Sequence, residues 1–162
     1  MRAMRWIGAC LLLVATLAGC GFQLQGRQIL PPVLEQVQLE PADRQSDFTR
    51  ALRATLASSG ATLVEGSAAT ARVRIVSDEV TERVLSVDAR NIPTDYELTY
   101  RVRVEVRAQD REMLPAEDFE LARIYSFDET RLLAKEREKV LLREALARDL
   151  AGVVTRRLTT LQ

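Results

Sequence analysis

Few side chains in this 162-residue sequence could do covalent chemistry, for it holds two cysteines, Cys10 and Cys20, and no histidine. Without histidine neither a Ser-His-Asp nor a Cys-His arrangement can be assembled, and a common zinc ligand is missing. No glycine-rich phosphate loop occurs. The 23 acidic residues leave carboxylate chemistry open, but they are scattered rather than gathered by spacing. These absences speak against an enzyme and against a resident metal or cofactor. Cys20 stands apart, because Leu17-Ala18-Gly19 precedes it. Small side chains at 18 and 19 fit the narrow subsites of a peptidase, and a thiol at 20 is a nucleophile able to accept a lipid.

The segment that presents Cys20 has the form of a secretory signal. Arg2 and Arg5 make a charged start, and an apolar run follows from Trp6 to Leu17, broken only by Gly8 and Thr16. A membrane-spanning helix needs about 20 apolar residues, and this run is shorter. Leu17-Ala18-Gly19-Cys20 resembles the lipobox of bacterial lipoproteins. Residues 1–19 are therefore expected to be cleaved, leaving Cys20 with an S-diacylglycerol and an N-acyl chain, enough together for stable anchoring. Gly21 in place of Asp suggests retention at the outer membrane, with the protein on its periplasmic side. Cys10 leaves with the signal, so the mature domain has neither disulfide nor thiol. Charges balance at 23 basic and 23 acidic residues, and losing Arg2 and Arg5 leaves the mature chain slightly acidic. A nucleic-acid partner, which calls for a strongly basic face, is not expected.

Residues 20–32 read as a polar tether ending in Pro31-Pro32, and 33–162 as one domain. Val33, Val37 and Leu39 suggest a short first strand. Ser46 can cap a helix whose Phe48, Leu52 and Leu56 share one face and which ends at Ser58-Ser59-Gly60. Arg72 to Val87 is strand-like, but Val73 and Ile75 lie on one parity and Val76, Val80 and Val84 on the other, which a bulge or an exposed edge would explain. Arg90-Asn91-Ile92-Pro93 reads as a turn. Tyr96 to Ala108 alternates strictly, with Leu98, Tyr100, Val102, Val104 and Val106 against Arg101, Arg103, Glu105 and Arg107, so one face of this antiparallel strand meets solvent. A loop is expected around Met113-Leu114-Pro115, then a partner strand with Phe119, Leu121, Arg123, Tyr125 and Phe127 in alternation. From Thr130 to Leu161 a proline-free segment carries Leu142, Leu146, Leu150, Val153 and Val154 as a helical stripe, with Asp128 or Thr130 as cap and Arg156 and Arg157 suiting its C-terminal dipole. The predicted fold is α+β and two-layered: two helices on one face of a four-stranded, mixed and mostly antiparallel sheet, in the order strand, helix, three strands, helix. Strand one should run parallel to strand two through a right-handed crossover.

The Leu17-Ala18-Gly19-Cys20-Gly21-Phe22-Gln23-Leu24 start, the Asp95 to Tyr100 and Arg123 to Phe127 strands, and the leucine-rich last helix together resemble the LptE family of lipopolysaccharide-assembly lipoproteins, over nearly the whole mature chain. The resemblance implies a non-catalytic protein that sits inside the β-barrel of LptD, assists its folding, plugs it and binds lipopolysaccharide. Wide barrels need a plug, and their interiors are polar, as is the expected outer face of this sheet. It also implies two contacts to lipopolysaccharide, Arg90 in the turn and Lys135 near the start of the last helix. Both are otherwise readable as ordinary solvated charges, as are Arg101, Arg103 and Arg107. Two alternatives stay open: an accessory lipoprotein of an ABC-type lipid transporter, and a lipid-anchored hydrolase using carboxylates.

Overall fold

The computed structural model describes residues 29–127 and 132–161. Cys20, the signal segment and the proposed caps Asp128 and Thr130 lie outside the described residues. A 3-10 turn, Pro32–Leu34, leads into β1, Gln36–Glu40; then come α1, Asp47–Ser58, β2, Thr62–Leu63, β3, Ala71–Val87, β4, Pro93–Ala108, β5, Arg111–Ser126, and α2, Leu132–Leu158. The sheet order is β2-β1-β3-β4-β5. β1 is parallel to both β2 and β3, and β3, β4 and β5 are antiparallel neighbours. The four expected strands and both helices are present.

Three local readings are corrected. The sheet has a fifth strand, β2, whose two residues are too few to show any periodicity. Val33 belongs to the 3-10 turn, because Pro32 favours a turn start and lacks the N–H a strand would use. Met113-Leu114-Pro115 lies inside β5 rather than in a loop. The reversal is instead made by Gln109 and Asp110, with Gln109 at a φ of 54°. Pro115 is tolerated because β5 is an edge strand and the β4–β5 register slips between Val104 and Val106.

β4 buries Leu98, Tyr100, Val102, Val104 and Val106 almost completely on the face the helices cover. The parity conflict in β3 is a bulge: Ile75 pairs with Val104 and Ser77 with Arg103, leaving Val76 as the extra residue. Val73 and Ile75, which are buried, therefore point to the same helix-facing side as Asp78, Val80, Glu82 and Val84, which become exposed toward the distal end. α1 is capped by Ser46, whose Oγ accepts from Thr49 N at 3.0 Å, and buries Phe48, Leu52 and Leu56. It stops where Gly60 takes a φ of 103°, letting Ala61 N donate to Leu56 O. α2 buries Leu146, Ala147, Leu150, Ala151, Val154 and Leu158, and its contacts with α1 close the core. β1 covers β3 only from Ala71 to Arg74, so the distal halves of β3, β4 and β5 project as a three-stranded sheet.

Candidate functional site

At the distal end of that projection β3 turns into β4. Asp88 builds the turn, its Oδ1 accepting from Arg90 N at 2.8 Å and Ile92 N at 3.0 Å, while Asn91 adopts a φ of 65°. These bonds stabilise the charged form, holding the Asp88 carboxyl below the usual carboxylate range. Arg90 stands at the tip with its side chain 74% exposed, and its Nε and a terminal nitrogen reach Asp88 Oδ2 at 3.1 and 3.0 Å.

The start of α2 lies at the same end. β5 closes beside β4 through Phe127 N donating to Thr94 O at 2.7 Å, and two turns into the helix Lys139 forms an ion pair with Glu82 of β3. Beneath it Tyr96 stacks on Tyr125 and meets Phe127 edge-on, both with ring centroids 5.7 Å apart. Burial, then the neighbouring Glu82, push the Tyr125 hydroxyl up to about 12, so it stays protonated and donates to Glu82. Lys135 has its stem packed, with the side chain only 17% exposed, and its Nζ pairs with Glu138 Oε2 at 2.8 Å. Leu133 by contrast is 80% exposed, and Val84 and Val87 are about half exposed. The end of the molecule thus sets cations beside uncovered apolar side chains.

Arg90 and Lys135 share this end without sharing a pocket. Lys135 is one turn, about 6 Å, from Lys139, whereas the hairpin tip lies six residues, about 20 Å, past Glu82. Two cations there, Lys139 and Arg83, escape sequence reasoning. Nothing in their spacing marks them, and only the strand register brings Arg83 Nε to Glu97 Oε1 at 2.6 Å. On the open sheet face Arg103 makes paired bonds to Asp118 at 2.8 and 2.6 Å, Arg101 engages Glu120, and Arg74 meets Glu105 at 3.2 Å. These pairs neutralise the face that the sequence shows only as a row of arginines. Arg107 sits opposite Arg72 and has no ion-pair partner among the described residues. No cluster of Cys, Asp or Glu able to hold a metal ion occurs among the described residues, and no described helix is long and apolar enough to cross a membrane.

A two-layer domain of this build has solved counterparts among bacterial lipoproteins. Rare lipoprotein B from Shewanella oneidensis is 25% identical with a TM-score of 0.68, covering 76% of this chain and 92% of that one. A lipoprotein B from Nitrosomonas europaea shares the fold at a TM-score of 0.71 and 24% identity, covering 86% of this chain and 90% of that one. In sequence, the LPS-assembly lipoprotein LptE of Yersinia enterocolitica is 28% identical over 149 residues, 91% of this chain and 72% of that protein. Its counterpart from Yersinia pestis is 25% identical over 151 residues, 92% of this chain and 72% of that protein. The model of the LptE family, described as lipopolysaccharide-assembly, matches residues 34–158, and the chain belongs to that family.

Proposed function

We propose that this protein is a non-catalytic lipopolysaccharide-assembly lipoprotein, tethered by acylated Cys20 to the periplasmic side of the outer membrane, seated in the LptD barrel as plug and assembly factor, and contacting lipopolysaccharide at its distal end. Lipopolysaccharide joins phosphates to acyl chains, so its binder needs cations next to apolar surface. The observation that carries the reading is that the distal end holds both: Lys135 and Lys139 of α2 on the helix side of the sheet, Arg83 on its open side and Arg90 at the tip, with Leu133, Val84 and Val87 exposed at the same end. Charge-assisted bonds to phosphate gain strength where such surface lowers the dielectric. No cofactor besides the covalent lipid enters this reading. Purification of the lipidated chain in mild detergent tests it. The expected result is an LptD-sized barrel retained at one-to-one stoichiometry; a chain that purifies alone from cells making the barrel would sink the proposal.

A further inference from the structure

β3 leaves one side of the distal sheet open. Beyond Arg74, where β1 ends its pairing, no strand among the described residues hydrogen-bonds the outer edge of β3, and the regular stretch between the slips at Val76 and Leu85 runs from Ser77 to Val84. The edge is not blunted by proline, and eight residues offer about 26 Å of strand. Toward the helices it borders a groove of about 360 Å³ that includes Val80, Glu82, Leu98, Lys139 and Val140. Val80 and Val140 are 39 and 44% exposed there, and Val84, further along the same side of β3, is 48% exposed. On the opposite face Arg74, Arg83, Arg101 and Arg103 each hold a carboxylate; Glu79 lies across from Arg101 and feels both Arg101 and Arg103, but these two arginines bond Glu120 and Asp118, so three carboxylates share two cations. We propose that the Ser77 to Val84 edge accepts one extended strand of another polypeptide, apolar at alternate positions toward α2 and basic where it passes Glu79.

Backbone pairing would supply the affinity and the alternate side chains the selectivity. A strand there would cover the half-exposed valines, and a basic side chain on it would balance the third carboxylate, Glu79, which shares Arg101 and Arg103 with Glu120 and Asp118. A second copy of this chain fits worse. Glu79, Thr81 and Arg83 are self-complementary about Thr81, but that two-fold register would drive the copy's own Asp88 to Ile92 turn alongside Arg74, where Glu40 is already paired.

The test uses the full lipidated chain in detergent and, as probe, an acetylated and amidated eight-residue peptide in which valine alternates with lysine or threonine. Hydrogen exchange at amides within Ser77 to Val84 is expected to slow at least tenfold. N-methylating one alternate set of peptide amides should abolish this, and methylating the other set should leave it. Glu79→Lys should weaken binding at least fivefold, and exchanging the peptide's lysines for glutamate should restore it. Equal binding by both N-methylated peptides, protection along β5 instead, peptide-independent dimerisation through this edge, or no protection at millimolar peptide would each overturn the proposal.

Discussion

A cation can hold a phosphate only to the extent that its own carboxylate releases it, and this separates the charged residues of the distal end. Lys135 is tied to Glu138 but is held mostly out of water, so a phosphate that replaced Glu138 would form a partly desolvated bond worth roughly 1.5–3 kcal/mol. Arg137 is exposed and has no ion-pair partner among the described residues, and a contact at such a site is worth about 1 kcal/mol or less. Lys135→Asp is therefore expected to weaken lipopolysaccharide binding at least fivefold and more than Arg137→Asp does, with thermal midpoints of both variants near that of the parent. The helix is not endangered, because an acid in the first turn of α2 suits the dipole. Affinities of the two variants that agree within error would return Lys135 to the ordinary solvated charges.

Among the elements, the bulge in β3 has the clearest consequences. Since Val76 is the surplus residue, its deletion joins Ile75 to Ser77 without turning any later side chain over, and the fold should survive with a midpoint shifted by only a few degrees. Deleting Val80 instead reverses the faces of Glu79 and everything before it relative to β4, and should prevent cooperative folding; equal tolerance of both deletions would refute the assignment. Past the bulge Asp78 meets the N-terminus of α1. It accepts from Ser46 Oγ at 2.5 Å and from the Tyr100 hydroxyl, which itself accepts from Phe48 N at 3.2 Å. Burial outweighs these bonds and raises the Asp78 carboxyl above its ordinary 3.8. A carboxyl raised on folding adds stability that is complete below its unfolded value and is lost as pH rises through the folded one. Replacing it by Asp78→Asn should remove that dependence, so the parent gains midpoint relative to the variant as pH falls from 7 toward 4, and a constant difference would refute the linkage. How much of this could be read from the residues alone differs by element. β4 and α1 were legible because one local period fixes each, and the parity break pointed to a bulge or an exposed edge, of which the register shows the bulge between Ile75 and Ser77. Pro115 misled because its tolerance depends on β5 being an edge, and β2 was hidden because pairing, not pattern, defines it.

At the scale of the whole molecule the proposed function assigns different tasks to the two ends. One end gathers Pro31, Pro32, Gln109, Met113 and Leu161 around one groove, while the start of α2 lies beside the distal part of β3 and Arg90 lies beyond it, β3 itself running about 55 Å at 17 residues. The candidate cations came from family resemblance, and the charges around them escaped the sequence because cross-strand partners depend on register. The described residues close the core between the ends among themselves. The first buried side chains among the described residues are Leu30 and Leu34, which pack with Val37, Phe48 and the sheet, and every later buried apolar side chain described belongs to the same cluster. Removing everything upstream of Gln28 therefore takes away no described core contact, and anchoring and folding should be separable. Cys20→Ala is expected to abolish acylation and release the protein from the membrane. A soluble chain beginning at Gln28 should keep the circular-dichroism signal of two helices and a sheet, and should unfold in a single cooperative transition. If that shorter chain lost its helical and strand signal, residues between Cys20 and Gln28 would have to contribute to the core, and the polar-tether reading of 20–32 would fail.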